Sequence, residues 1–151
     1  MAEVLIAAEL AAAGLAGRVA VQSAGTGDWH LGERMAAGAR AELARRGYDG
    51  SEHRARQIGP GWLDRFDLLI PMDASNRRDL LRMARGREDI EGRIRLLRSF
   101  DPAAPEGAQV PDPYGGGPGE FAAVFDMVLA AARGLVAGLA ELLSDRGGEA
   151  G

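Results

Sequence analysis

Residues 109–120, which read Q-V-P-D-P-Y-G-G-G-P-G-E, constrain the fold more than any other stretch of the chain. Three prolines and four glycines fall within these twelve residues, so neither a helix nor a long strand can run through them. The stretch is therefore predicted to be a surface loop. Pro111 and Pro113 stiffen the backbone on either side of Asp112, and Tyr114 follows. Asp112 is either a side chain presented for use or the turn former of an ordinary solvated turn.

The size and composition are those of a single globular domain spanning residues 1–151. The net charge of −4, from 18 basic and 22 acidic residues, does not indicate a nucleic-acid partner. No apolar run approaches the roughly 18 residues needed to cross a bilayer, and no basic leader precedes an apolar segment. A cytoplasmic protein without a membrane partner is expected. The sequence has no cysteine, which excludes disulfides, zinc thiolates and thiol catalysis for these 151 residues.

Helical and strand patterns alternate along the chain. Apolar spacing, good helix formers and terminal glycines predict helices at residues 1–17, 33–47, 62–65, 76–84 and 120–143. Short apolar or alternating runs predict strands at residues 18–23, 67–72 and 94–97. Asp73 or Ser75 is expected to cap the fourth helix, and residues 144–151 are expected to fray. This alternation predicts an α/β fold with a parallel sheet between layers of helices.

In such a sheet the functional site lies beyond the carboxyl ends of the strands. The loops at residues 23–30, at residues 72–76 and from residue 99 onward leave those ends. The side chains expected to converge on this rim are Ser23, Trp29, His30, Asp112 and Tyr114.

Six motifs occur in order along the chain. They are V-x-S-A-G-T-x-x-W-H-x-G, S-x-H-R-A-R-Q, M-D-x-S-N, L-L-x-S-F-D-P, D-P-Y-G and F-x-x-V-F-D. With these motifs the chain resembles the low-molecular-weight protein tyrosine phosphatases, most of all the actinobacterial kind, from Met1 to about Leu143. The resemblance implies the phosphotyrosine phosphatase I-like fold, a phosphotyrosine protein as substrate, and hydrolysis through a phosphocysteine intermediate without a metal or other cofactor.

The resemblance also implies roles for individual residues. Asp112 corresponds to the general acid that protonates the leaving phenol and then activates the water that releases phosphate. Trp29 and Tyr114 correspond to aromatic residues that bind the phenyl ring. Ser23 and His53 correspond to polar residues that support the phosphate loop.

The family's defining segment, a strand followed by C-x-x-x-x-x-R-S, is absent from the sequence. In the family, Met-Ala-Glu follows that segment, and this chain reads Met1-Ala2-Glu3. The expectation is therefore an N-terminally truncated domain that lacks the first, central strand, between residues 18–23 and 67–72. Without the nucleophilic Cys and the phosphate-binding Arg, these residues alone are expected to be inactive. The alternatives are a pseudophosphatase that acts as a binding module and, ranked lower because it needs several cysteines, an arsenate reductase.

Overall fold

The computed structural model describes residues 1–25, 35–51, 56–59, 61–113 and 116–149, with the side chains of the last helix described as far as Ser144. The described residues form six α-helices and one 3-10 helix. The helices are α1 (Ala2–Ala12), α2 (Ala37–Arg45), α3 (Trp62–Arg65), α4 (Ala74–Ala84), α5 (Glu88–Glu91) and α6 (Pro118–Glu149), and the 3-10 helix is Leu97–Phe100.

The 32-residue helix α6 is the centre of the larger hydrophobic core. Phe125 is 1% exposed and Val128 is 2% exposed, and α6 packs against α1, α2 and the 3-10 helix. The prediction that residues 144–151 fray is wrong as far as Glu149, because the helix continues to that residue. Leu142, which the helical pattern placed inside, is 48% exposed, whereas the neighbouring Leu143 is partly buried against the core.

Part of α6 bears on the expectation of no membrane-spanning segment. Residues Pro118–Ser144 form 27 helical residues and contain an 18-residue window with a mean hydropathy of 1.7, so the helix is long and apolar enough to cross a bilayer by length and composition. The sequence-based statement that no apolar run approaches this length was therefore wrong. The apolar face of the helix is occupied, since Phe121, Val124 and Phe125 lie buried in the core. A soluble core helix passes the same test, so the hydropathy of α6 does not indicate a membrane protein.

Local sequence explains the ends of α1 and α4. The predicted helix at residues 1–17 stops at Ala12, because Gly14 adopts a left-handed backbone with φ of 75°. Asp73 caps α4, as one of the two predicted alternatives, and its Oδ1 accepts a hydrogen bond of 2.8 Å from the Asn76 N–H. The helix ends at Arg85, which is also left-handed, with φ of 50°.

The three predicted strands are reduced to isolated parallel bridges in the described part of the chain. Gly25 pairs with Gln57, and Leu69 pairs with Ile94. Residues 18–23 do not form a regular strand, and residues 94–97 contribute one bridging residue before the 3-10 helix begins. The parallel direction was predicted correctly, but the length of the strands was not. A strand needs a hydrogen-bonding neighbour, and within the described residues Leu68 and Ile70 have no backbone hydrogen-bond partner.

On the side of residues 67–72 that faces away from residues 93–95, Met72 accepts a hydrogen bond from Val110, whereas Leu68 and Ile70 have no backbone partner within the described residues. The N–H of Leu69 donates to Arg93 O, and its carbonyl accepts from Arg95 N–H, both at 3.0 Å. Because successive residues of an extended chain point in opposite directions, the backbone groups of Leu68 and Ile70 face away from this pairing. Both side chains are only partly buried, which corrects the prediction of a fully buried strand.

Residues 19–21 pack on the same core as this free edge. Val19 and Val21, like Leu68 and Ile70, are partly buried against the cluster around α6. Among the described residues, no backbone hydrogen bond joins residues 19–24 to residues 67–72. The two bridges therefore belong to two separate strand pairs.

The buried apolar residues in the described part of the chain form two clusters. A single domain of this length was expected to have one core. The larger cluster surrounds α6. The smaller cluster is formed around Leu69 and consists of Leu63, Leu69, Leu80, Ala84, Ile90 and Ile94. Leu69 thus secures the strand pair to α3, α4 and α5.

Candidate active site

The loop that carries Asp112 begins where residues 67–72 end. The N–H of Val110 donates a hydrogen bond of 2.8 Å to the carbonyl oxygen of Met72. Val110 is 5% exposed and belongs to the larger core, whereas Pro111 and Asp112 are exposed. The sequence-based prediction of a surface loop is correct for the described residues, and Asp112 lies two residues from a buried attachment point.

Gln109 adds two further attachments to the same end of the loop. Its side-chain Oε1 accepts a hydrogen bond of 2.8 Å from the N–H of Ala74, the first residue of α4. Its carbonyl oxygen accepts a hydrogen bond of 3.2 Å from Nη1 of Arg98. Neither Gln109 nor Arg98 was identified from the sequence, because both contacts depend on the tertiary fold.

The other end of the loop is attached to the start of α6. The N–H of Gly116 donates to the carbonyl oxygen of Pro113 at 2.8 Å. The N–H of Gly117 donates to Oε2 of Glu120, also at 2.8 Å. A carboxylate at this position suits a helix N-terminus, where free N–H groups create a partial positive charge. Tyr114, predicted beside Asp112, lies outside the described residues.

The backbone of Ser23 is bound to the first turn of α1. Its N–H donates a hydrogen bond of 3.1 Å to Oε1 of Glu3, and Nη2 of Arg56 lies 3.7 Å from the same oxygen. Glu3 thus joins the first turn of α1 to two segments that the motifs had marked. An acidic residue in a first helical turn is the one local feature that could have indicated this contact.

The bridge at Gly25 joins two segments that are next in sequence to predicted site residues. The N–H of Gly25 donates to Arg56 O at 2.6 Å, and the N–H of Ile58 donates to Gly25 O at 2.9 Å. Trp29 follows the first of these residues, and His53 precedes the second. Both lie outside the described residues, as does His30, so their side chains remain predictions.

An open groove of about 370 Å³ separates the start of α2 from the start of α6. Gly38 and Phe121 line it, and Glu42 and Arg45 lie at its polar end. Glu42 is 5% exposed and forms ion pairs with Arg45 at 2.6 Å and with Arg46 at 2.9 Å. The hydrogen bond from Arg45 is the main cause that lowers the pKa of Glu42 below its ordinary value of 4.5. The groove is therefore apolar apart from a cation that is already paired.

Within the residues that the structure describes, no group of three or more His, Cys, Asp or Glu side chains is arranged to hold a metal ion.

The fold and the anchored acidic loop can be compared with solved structures. A protein tyrosine phosphatase from Entamoeba histolytica, with Hepes in its active site, is similar with a TM-score of 0.85 and 26% identity over 93% of this chain and 87% of that chain. YfkJ from Bacillus subtilis is similar with a TM-score of 0.83 and 30% identity over 93% of this chain and 85% of that chain. The fold is thus the α/β fold of the tyrosine phosphatases.

Residues 1–145 match the family model described as low molecular weight phosphotyrosine protein phosphatase, and the chain belongs to that family. A low molecular weight protein-tyrosine-phosphatase from Streptomyces coelicolor is 44% identical over 97% of this chain and 88% of that protein. Protein-tyrosine phosphatase A from Mycobacterium bovis is 40% identical over 89% of this chain and 80% of that protein. The resemblance stated from the motifs, including its actinobacterial character, is confirmed, and by family the chain is a hydrolase.

Proposed function

We propose that this domain hydrolyses phosphotyrosine in proteins, with Asp112 as the general acid and a thiolate from a Cys-x5-Arg segment as the nucleophile. The observation that carries the proposal is the position of Asp112. It lies exposed between two prolines on a loop attached to the carboxyl end of residues 67–72. Ligands of open α/β sheets bind beyond that end of the strands.

The chemistry requires a proton donor because a phenolate is a poor leaving group. The thiolate attacks phosphorus, so that an S–P bond forms while the P–O bond to the ring breaks. The Asp112 carboxyl gives its proton to the departing phenolate oxygen. The Asp112 carboxylate then takes a proton from a water molecule that attacks phosphorus, which breaks the S–P bond and releases phosphate and the thiolate.

These 151 residues contain no cysteine, so by themselves they supply no such thiolate. We therefore propose that this polypeptide alone is inactive and that turnover requires the Cys-x5-Arg segment to be joined ahead of Met1. The backbone of that segment and its Arg would hold the phosphoryl oxygens. The strand that leads into the segment would lie between residues 19–21 and residues 67–72. The unpaired backbone groups of Leu68 and Ile70 support this position.

Roles for the other predicted residues follow from the same proposal. Trp29 and Tyr114 bind the two faces of the aromatic ring, and Ser23 and His53 support the phosphate loop. Two contacts support the role of Ser23 and His53 beside the phosphate loop. Ser23 is bound to Glu3 in the first turn of α1, which the proposed segment would precede, and the bridge from Gly25 to Gln57 joins the chain after Ser23 to the chain after His53. A net charge of −4 supports action on proteins rather than nucleic acids, and we place the activity in the cytoplasm.

The test joins the first strand and Cys-x5-Arg segment of the Streptomyces coelicolor relative to the N-terminus of this chain. We refer to this protein as the Cys-bearing form. It should hydrolyse aryl phosphates, and its Asp112→Asn variant should lose about 10²–10⁴-fold in kcat. Asp101→Asn is the matched control, because Asp101 also precedes a proline and its Oδ1 accepts only a local hydrogen bond from Ala103. Hydrolysis by the 151-residue chain, or equal losses in the two variants, would contradict the proposal.

The absence of cysteine also favours a second candidate, a pseudophosphatase that binds phosphotyrosine without hydrolysing it. A 151-residue chain that is folded and binds a phosphotyrosine peptide without turnover would support this candidate. An arsenate reductase ranks lower because its reaction needs several reactive cysteines.

A further inference from the structure

We propose that Gln109 is a positioning residue that fixes the direction of the Asp112 loop, with Arg98 as its support. The inference rests on the proposed role of Asp112 as general acid. Neither residue was assigned a role from the motifs: Gln109 lies outside them, and Arg98 occupies a variable position in one of them.

Three hydrogen bonds from different parts of the chain meet at residues 109 and 110. Ala74 at the start of α4 donates to the Gln109 side chain at 2.8 Å. Arg98 of the 3-10 helix donates to the Gln109 carbonyl at 3.2 Å. Met72 at the end of residues 67–72 accepts from the Val110 N–H at 2.8 Å. The base of the loop is thus fixed to three elements at one point.

The side chain of Gln109 has a specific task at the start of α4. The first N–H groups of a helix have no partner within the helix. Asp73 accepts from Asn76, and Gln109 accepts from Ala74 across 35 positions of sequence. Because this hydrogen bond is exposed, water competes with it and its loss should change stability little. A sequence-distant hydrogen bond with little effect on stability is suited to setting the direction of a loop.

Arg98 supports this arrangement from below. Its Nη1 is bound to the Gln109 carbonyl, while its Nε is buried without a hydrogen-bond partner in the described part of the chain. Burying a donor without an acceptor is unfavourable. The hydrogen bond to the Gln109 carbonyl therefore orients the Arg98 guanidinium.

A displacement of the backbone at Gln109 should also displace Asp112. Loss of the Gln109 contacts weakens the attachment of the adjacent Val110, and the ring of Pro111 fixes its own φ angle near −65°. When the Val110 attachment opens, few backbone torsions are left to compensate, so the displacement reaches Asp112. A displacement of about 1 Å at a reacting group can cost on the order of 10²-fold in rate.

The first experiment measures hydrogen exchange of the Val110 N–H in the 151-residue chain. Gln109→Ala should accelerate this exchange by about fivefold or more, because the loop base then opens more often. Gln109→Glu should leave it near the original rate, since a carboxylate oxygen can accept from Ala74 at the same reach. Gln22→Ala is the matched control, because Gln22 is an exposed glutamine whose side chain has no hydrogen bond to another described residue. Equal exchange in all four proteins would overturn the proposal.

The second experiment uses the Cys-bearing form and two substrates whose leaving groups differ in acidity. A dinitrophenolate leaves without a proton, whereas the phenolate of phenyl phosphate needs one. The ratio kcat/KM reports the first chemical step, in which the leaving group departs. Gln109→Ala should lower kcat/KM about tenfold for phenyl phosphate and less than about twofold for dinitrophenyl phosphate, and Gln109→Glu should restore it. A purely structural role would lower both rates equally and would overturn the inference. Failure of the proposed function is distinguishable, because Asp112→Asn would then show no dependence on the leaving group.

Discussion

Gly134 sets how closely α6 approaches the 3-10 helix Leu97–Phe100, and adding one methyl group there tests this packing. A methyl group on Gly134 would overlap the carbonyl oxygen of Phe100 and lie 2.9 Å from its carbonyl carbon. Carbon atoms in contact are about 3.5–4.0 Å apart. The neighbour is backbone rather than a flexible side chain, so α6 or the 3-10 helix must move by about 0.6–1.1 Å to clear the carbonyl carbon, and by more than that to clear the overlapping oxygen.

Two opposing effects decide the sign for Gly134→Ala. Alanine is favoured over glycine in a helix interior by about 1 kcal/mol, whereas overpacking a close contact costs about 1–3 kcal/mol. Because the overlap involves backbone atoms, we expect the cost to exceed the gain, with a net loss of about 1–2 kcal/mol. For a protein of this size that corresponds to a decrease in Tm of about 2–8 °C.

Gly138→Ala is the matched control for this experiment. Gly138 lies about one turn further along α6, is exposed, and a methyl group there would have nothing within 4 Å. Only the helix preference applies, so this variant should gain about 0.5–1 kcal/mol. Urea unfolding of both variants and the original chain gives the three free energies. A Gly134→Ala variant that is as stable as Gly138→Ala would show that the close approach of α6 to Phe100 is wrong.

Two further predictions concern α2. Gly38→Ala should destabilise the fold by about 1–2 kcal/mol, because the new methyl group would overlap the ring of Phe121, which is 5% exposed. Combining it with Phe121→Leu should cost less than the sum of the two single changes, and strict additivity in urea unfolding would argue against the contact. Glu42 should make stability depend on pH, since its carboxylate pKa is lowered by Arg45 and then by Arg46. The stabilisation is complete above the ordinary pKa of 4.5 and is lost as the pH falls through the lower pKa of the folded state. The stability difference between the original chain and Glu42→Gln should therefore shrink on acidification, and a difference that stays constant from pH 7 to well below 4.5 would contradict the assignment.

Helices were predictable from the sequence because their signals are local. The short helix Trp62–Arg65 and the Asp73 cap of α4 were both predicted and are present. The end of α1 was placed too late because the left-handed conformation of Gly14 competes with helix formation there. The four-residue helix Glu88–Glu91 was missed, since so short a charged segment has no apolar periodicity.

Strands and supporting contacts were less predictable because they depend on residues far apart in sequence. The run at residues 67–72 is apolar enough for a central strand, yet Leu68 and Ile70 have no backbone hydrogen bond to another described residue. In the site, the prolines around Asp112 predicted the loop, and the composition of residues 109–120 was enough for that. The supports of the loop and of Ser23 join positions that are 35, 11 and 20 residues apart, as in Ala74 with Gln109, Arg98 with Gln109, and Glu3 with Ser23. No local pattern contains that information.

The two described parts of the candidate site are each held by hydrogen bonds to distant segments of the chain. The base of the Asp112 loop is bound to Met72, to Ala74 and to Arg98, whereas Ser23 is bound to Glu3. In the described part of the chain, the strand pairs beneath them share no backbone hydrogen bond. Under the proposed function, a strand that pairs with both free edges would place the acid loop and the support of the phosphate loop in one register. The same strand would carry the nucleophile, so formation of the sheet and assembly of the catalytic groups would be a single event.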